Sequence, residues 1–135
     1  MECPTANKEY PMPKGKSFDL EDRLISFSVR IIKVAEALPN TRTGKHICEQ
    51  ILRSGTSPAP NYGEAQSAES RADFVHKLKI ALKELRETKI WIKVVMRVGL
   101  IKPPESLNPL LQEAEELISI LFTSISTARK NSGRQ

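Results

Sequence analysis

The chain has 135 residues and a mass of 15.1 kDa, the size expected of one domain rather than of a two-domain enzyme. Apolar residues make up 39% and charged residues 27%, too apolar a balance for a disordered chain. Twenty-one Lys and Arg against sixteen Asp and Glu leave +5, an excess that permits a polyanionic partner without requiring one. Cys3 and Cys48 are too few for a disulfide framework or a cysteine-based zinc site, and they fit a reducing cytoplasm. No apolar run reaches the ~18 residues of a membrane span, and Met1 to Lys16 carries no signal-like apolar stretch.

Residues 1–17 hold Pro4, Pro11, Pro13 and Gly15 without periodicity and read as a flexible tail. A bundle is expected over 18–128. Its first helix runs from Asp19 to Leu38, with Leu24, Phe27, Ile31, Val34 and Ala35 at three- and four-residue steps and acids in the first turn. Pro39-Asn40 ends it, and Arg42 to Gly44 reads as a short connection. The second helix passes through Ile47, Ile51 and Leu52 and meets Pro58 and Pro60, each of which removes a backbone donor. Good helix sequence resumes at Glu64, so one helix bent at Pro58/Pro60 is expected. Ser70 followed by Asp73 resembles a capping box that opens the longest helix, Arg71 to about Val98, closed by Gly99. Lys102-Pro103-Pro104 turns the chain into a fourth helix that starts between Glu105 and Pro109, and 129–135 reads as a basic, frayed tail. No segment alternates with a period of two. The fold class is therefore all-α, an antiparallel up-down-up-down four-helix bundle.

Enzyme motifs fail. Gly44-Lys45 lacks the first glycine and the Ser or Thr of a phosphate-binding loop, and Asp73-x-x-His76 stands alone where a di-metal bundle needs two such motifs. His46 and His76 read as surface residues, Ser54 and Ser57 have no histidine to activate them, and no metal, cofactor or catalytic residue is expected.

The third helix carries the charge. With Lys79 at zero on a helical wheel, Lys83, Arg86, Lys93 and Arg97 fall within about 40° of it, and Phe74, Ala81, Leu85, Thr88 and Ile92 lie opposite. Eight Lys and Arg against three acids give this helix +5, the net charge of the whole chain. Five cations along ~27 Å could track a phosphate backbone, while a solvated bundle face is the simpler account of them. Phe27, Phe74 and Phe122 take core-face positions, which leaves no evident stacking surface for bases. Ile80, Trp91, Val94 and Val98 widen the apolar arc beyond what one core needs, and a homo-oligomer interface is expected there. Acids of the fourth helix, Glu105, Glu113, Glu115 and Glu116, offer a neighbouring subunit a way to neutralise the stripe.

From Ser17 to about Phe122 the chain resembles the bacterial four-helix-bundle proteins named after intervening sequences of 23S ribosomal RNA genes. The resemblance rests on Arg53-Ser54-Gly55-Thr56-Ser57-Pro58-Ala59-Pro60-Asn61-Tyr62-Gly63-Glu64-Ala65, continued by Ser70, Asp73-Phe74, Lys77-Leu78, Lys83-Glu84, Glu87-Thr88 and Trp91-Ile92. It implies a left-handed bundle assembled into a homopentameric ring, with a nucleic-acid or ribosome-associated role and no catalytic residues or cofactor. Similar proteins are accessory subunits of reverse transcriptases in diversity-generating retroelements. The resemblance places Ser57, Asn61 and Glu64 at the bend, where side chains can satisfy backbone groups that the prolines leave unpaired. The expected function is thus a non-enzymatic, cytoplasmic homo-oligomer binding RNA through Lys79, Lys83, Arg86, Lys93 and Arg97; the alternative is an adaptor ring for a protein partner.

Overall fold

The computed structural model describes residues 19–132, so the tail read over 1–17 and the last three residues lie outside the described part. Helices α1 (Leu20–Ala37), α2 (Arg42–Thr56), α3 (Pro58–Gln66), α4 (Arg71–Val98) and α5 (Asn108–Ser132) follow one another, with a short 3-10 turn at Pro104–Leu107 before the last. α2 and α3 are the two arms of one bent helix, so the molecule is a four-helix bundle, all-α as expected.

Local chemistry sets the boundaries. Asp19 accepts a hydrogen bond from the Asp22 amide at the start of α1, and Ser70 accepts from the Asp73 amide at the start of α4. Gly99, at φ +80, closes α4 in the left-handed conformation that glycine adopts without a Cβ clash. Two boundaries differ from the sequence reading. Arg42 to Gly44 is the first turn of α2 rather than a connection, because Thr41 caps it by accepting from the Gly44 amide at 3.0 Å. At the other end α5 continues to Ser132, one turn past the expected end of the bundle.

At the bend Ser57 keeps helical angles (φ −83, ψ −34), so the chain kinks without unwinding. The Asn61 amide nitrogen and its side-chain Nδ2 both donate to the Ser57 carbonyl, and Nδ2 also reaches Ser57 Oγ at 3.0 Å. Glu64 has a different task from the one its place in the motif suggested: its carboxylate reaches across to Lys77 of α4 at 2.7 Å.

Leu24, Phe27 and Ile31 of α1, Ile51 of α2, Leu78, Leu85 and Ile92 of α4, and Leu117 and Leu121 of α5 form the centre of the core, each essentially inaccessible to water. Cross-contacts fix the directions of neighbouring helices. Thr88 meets Ser54 and Lys77 meets Glu64, so α4 runs antiparallel to the α2–α3 arm. Arg71 meets Ala128 and Lys89 meets Glu115, so α5 runs antiparallel to α4. α1 and α2 approach closely at Gly55, whose carbonyl accepts from Ser28 Oγ.

Candidate nucleic-acid interface

α4 presents the basic stripe as the helical wheel laid it out. Lys79, Lys83, Arg86 and Arg97 are exposed and Lys93 is half-buried. Lys79, Lys83, Arg86, Lys93 and Arg97 make no ion pair with any described residue, whereas Arg23, Arg53, Lys77 and Lys89 each do.

The reason lies in where the acids are spent. Arg23 of α1 clamps Glu113 of α5 through Nε and Nη2 at 2.9 and 2.6 Å, and Nη2 also reaches Glu116 at 3.0 Å. These carboxylates hold the Arg23 guanidinium above its usual pKa, against the burial that opposes them. Glu116 is in turn held below the usual carboxylate range, first by the Gln112 amide and then by Arg23. Lys89 takes Glu115, and Arg53 takes both acids in the middle of α4, Glu84 and Glu87. Of the four acids that could have answered a neighbour's stripe, the three on α5 are thus engaged within the chain; Glu105, which lies in the 3-10 turn before α5 rather than on the helix, is the one of the four left exposed without such a partner among the described residues. The stripe keeps its field because geometry directs the carboxylates elsewhere.

The expected interface residues divide. Trp91 and Val94 pack on the bundle's own core, and Ile80 is half-buried. The Trp91 indole donates to Glu87 at 3.1 Å and stands edge-on to His46, with ring centroids 6.3 Å apart. Only Val98 of the four is open, at 60% exposure. The sequence reading missed Ile90, 60% exposed about 20° from Lys79 in the middle of the stripe, and the exposed Ile25 and Ile32 of α1. It also misplaced Phe122: 55% of this ring is exposed, so it is not a core residue. Periodicity identifies an apolar arc, and only the packing of neighbouring helices decides which flank of the arc is covered.

A concavity of about 610 Å³ at the end of the bundle lies between the α3–α4 loop and α5, lined by Ser70, Arg71, Phe74, Thr127 and Asn131 among others. Neither histidine nor cysteine lines it. Among the described residues no group of three or more His, Cys, Asp or Glu side chains could hold a metal ion, and no helix is long and apolar enough to cross a membrane.

The model of the 23S rRNA-intervening sequence protein family matches residues 16–123. The chain belongs to that family. Within the solved structures, a protein of unknown function from the S23 ribosomal protein family of Bacteroides thetaiotaomicron VPI-5482 is 37% identical, with a TM-score of 0.73 over 79% of this chain and 98% of its own. No curated protein matches. The matched range includes the bent α2–α3 arm, whose residues carried the resemblance.

Proposed function

We propose that this member of the 23S rRNA-intervening sequence family is a non-enzymatic, cytoplasmic, homopentameric bundle that binds RNA through the α4 stripe. The observation that carries the reading is selective pairing. Among the described residues, acids pair with Arg23, Arg53, Lys77 and Lys89 and leave Lys79, Lys83, Arg86, Lys93 and Arg97 facing solvent or its edge. A row of unneutralised cations binds a phosphate backbone by releasing its condensed counterions, so affinity falls steeply with salt. The free Cys48 thiol fits a reducing compartment. Open apolar side chains on α1 and α4, Ile25, Ile32 and Val98, support self-association.

The test is a mobility shift with structured RNA against heparin competitor, repeated across salt. Binding that weakens steeply with salt, and that Lys83→Glu with Arg86→Glu sharply reduces without loss of helicity or assembly, is the expected result. Absent or salt-independent binding contradicts it. Light scattering at micromolar concentration reads the assembly, and a monomeric mass contradicts the pentamer.

One observation favours a second reading, an adaptor ring with a protein partner: Ile90 interrupts the cations with an exposed apolar side chain, as protein interfaces do. Under that reading Ile90→Ser abolishes partner capture, and RNA neither binds nor competes.

A further inference from the structure

Phe122 lies beside the stripe rather than remote from it. The α4–α5 pair is held in register at two points, where the Arg71 guanidinium donates to the Ala128 carbonyl at 3.4 Å and Lys89 pairs with Glu115 at 3.4 Å. An antiparallel pair pinned at those positions brings Phe122 level with Lys79. Glu115 and Phe122 are seven residues apart, two helical turns that differ by only about 20° in direction. The ring therefore leaves α5 on the same flank as the carboxylate that reaches α4. Arg129, seven residues further along, extends this column and is exposed.

We infer that Phe122 is a stacking platform for an unpaired base of single-stranded RNA whose phosphates lie along Lys79, Lys83 and Arg86, with Arg129 below the ring. The inference rests on the RNA reading of the stripe and narrows it to a class of RNA. Cations alone accept duplex and single strand alike, because both present phosphates. An exposed aromatic ring adds a preference, since any base has a π-face but a paired base has already spent it on its neighbours. Charge complementarity with the surrounding cations points to a polyanion as the molecule covering the ring, in preference to an apolar protein surface.

The experiment uses the full chain and fluorescence polarisation with a labelled oligouridylate and an RNA duplex of equal length, alongside light scattering. Phe122→Ala weakens oligouridylate binding at least about fivefold, the lower end of what one base–aromatic stack supplies. Phe122→Leu, apolar but without a π-face, does the same, and Phe122→Trp restores binding. Duplex affinity and molar mass stay unchanged in all three. The inference is overturned if Phe122→Leu binds like the unaltered chain, if duplex and single strand weaken together, or if molar mass drops, which would make the ring a subunit contact. If the unaltered chain binds neither RNA, the stripe reading itself fails. If it binds both and no Phe122 variant changes that, only the stacking inference falls.

Discussion

Gly55 and Gly63 stand eight residues apart in the bent α2–α3 arm, and alanine at the two positions has opposite effects on stability. A Cβ at Gly55 meets Ile31 Cγ2 at 2.5 Å, Cγ1 at 2.9 Å and Cβ at 3.1 Å; a Cβ at Gly63 meets nothing within 4 Å. Ile31 is β-branched, wholly buried in the middle of α1 and confined to essentially one rotamer, so it cannot swing aside. Relief must come from separating α1 and α2 where Ser28 Oγ bonds the Gly55 carbonyl. Overpacking of this kind costs roughly 1–3 kcal/mol. With three atoms inside contact distance the upper half of that range applies, and the gain in helix propensity returns at most about 1 kcal/mol. Gly55→Ala is therefore destabilising by about 1–2 kcal/mol. Gly63→Ala collects the propensity gain unopposed and stabilises by about 0.5–1 kcal/mol. Thermal unfolding followed by far-UV circular dichroism reads the difference, at roughly 4 °C per kcal/mol for a chain of this size. Ile31→Ala removes the two nearer atoms and leaves only Cβ at 3.1 Å, so in that background Gly55→Ala loses most of its destabilising effect. If Gly55→Ala stabilises the unaltered chain as much as Gly63→Ala does, the close approach of α1 and α2 is wrong.

Three further outcomes follow from polar groups in or near the core. The buried Thr88 hydroxyl lies 2.8 Å from both the Glu84 carbonyl and Ser54 Oγ; having one proton, it donates to the carbonyl and accepts from Ser54. Thr88→Val strands the Ser54 hydroxyl and costs about 1–3 kcal/mol in urea unfolding, and adding Ser54→Ala recovers a measurable part of that loss. Arg30 Nε is shielded from water and has no hydrogen-bond partner among the described residues, and burial draws the guanidinium pKa down against the pull of Glu113. Arg30→Met keeps the aliphatic stem and raises stability by about 1 kcal/mol, seen as a higher melting temperature. Glu116 is more acidic folded than unfolded, so its contribution is complete above its ordinary value of 4.5 and is lost as pH falls through the lowered value. Unfolding across that acid range is less pH-dependent in Gln112→Ala, which removes the largest cause of the shift.

Much of the fold is legible in the sequence because its signals are local. Ser70 and Gly99 mark the two ends of α4 by chemistry that acts within one turn, and a straight helix of regular period carries the wheel angles of Lys79 to Arg97 directly into space. The Thr41 cap is harder to read, since Gly44 in a first turn argues against helix. It is tolerated there because the chain folds back so tightly that a Cβ would lie 2.0 Å from the Pro39 carbonyl oxygen. Relations between distant segments leave no such trace. Arg23 and its carboxylates are about ninety residues apart, so the pairing that consumes the α5 acids cannot be read along the chain. Phe122 and Trp91 exchange their expected environments for a related reason. The α2 arm with His46 lies against the flank of α4 that bears Trp91, whereas the flank of α5 that bears Phe122 is left partly open.

The central claim, that the α4 cations hold RNA phosphates, is tested most directly by the slope of log affinity against log salt for a single-stranded RNA. Five cations each neutralising one phosphate give a slope of about −3.5, at roughly −0.7 per contact. Lys83→Glu with Arg86→Glu makes that slope shallower by at least about 1.4. A slope near zero in the unaltered chain, or one that the double reversal leaves unchanged, contradicts the account.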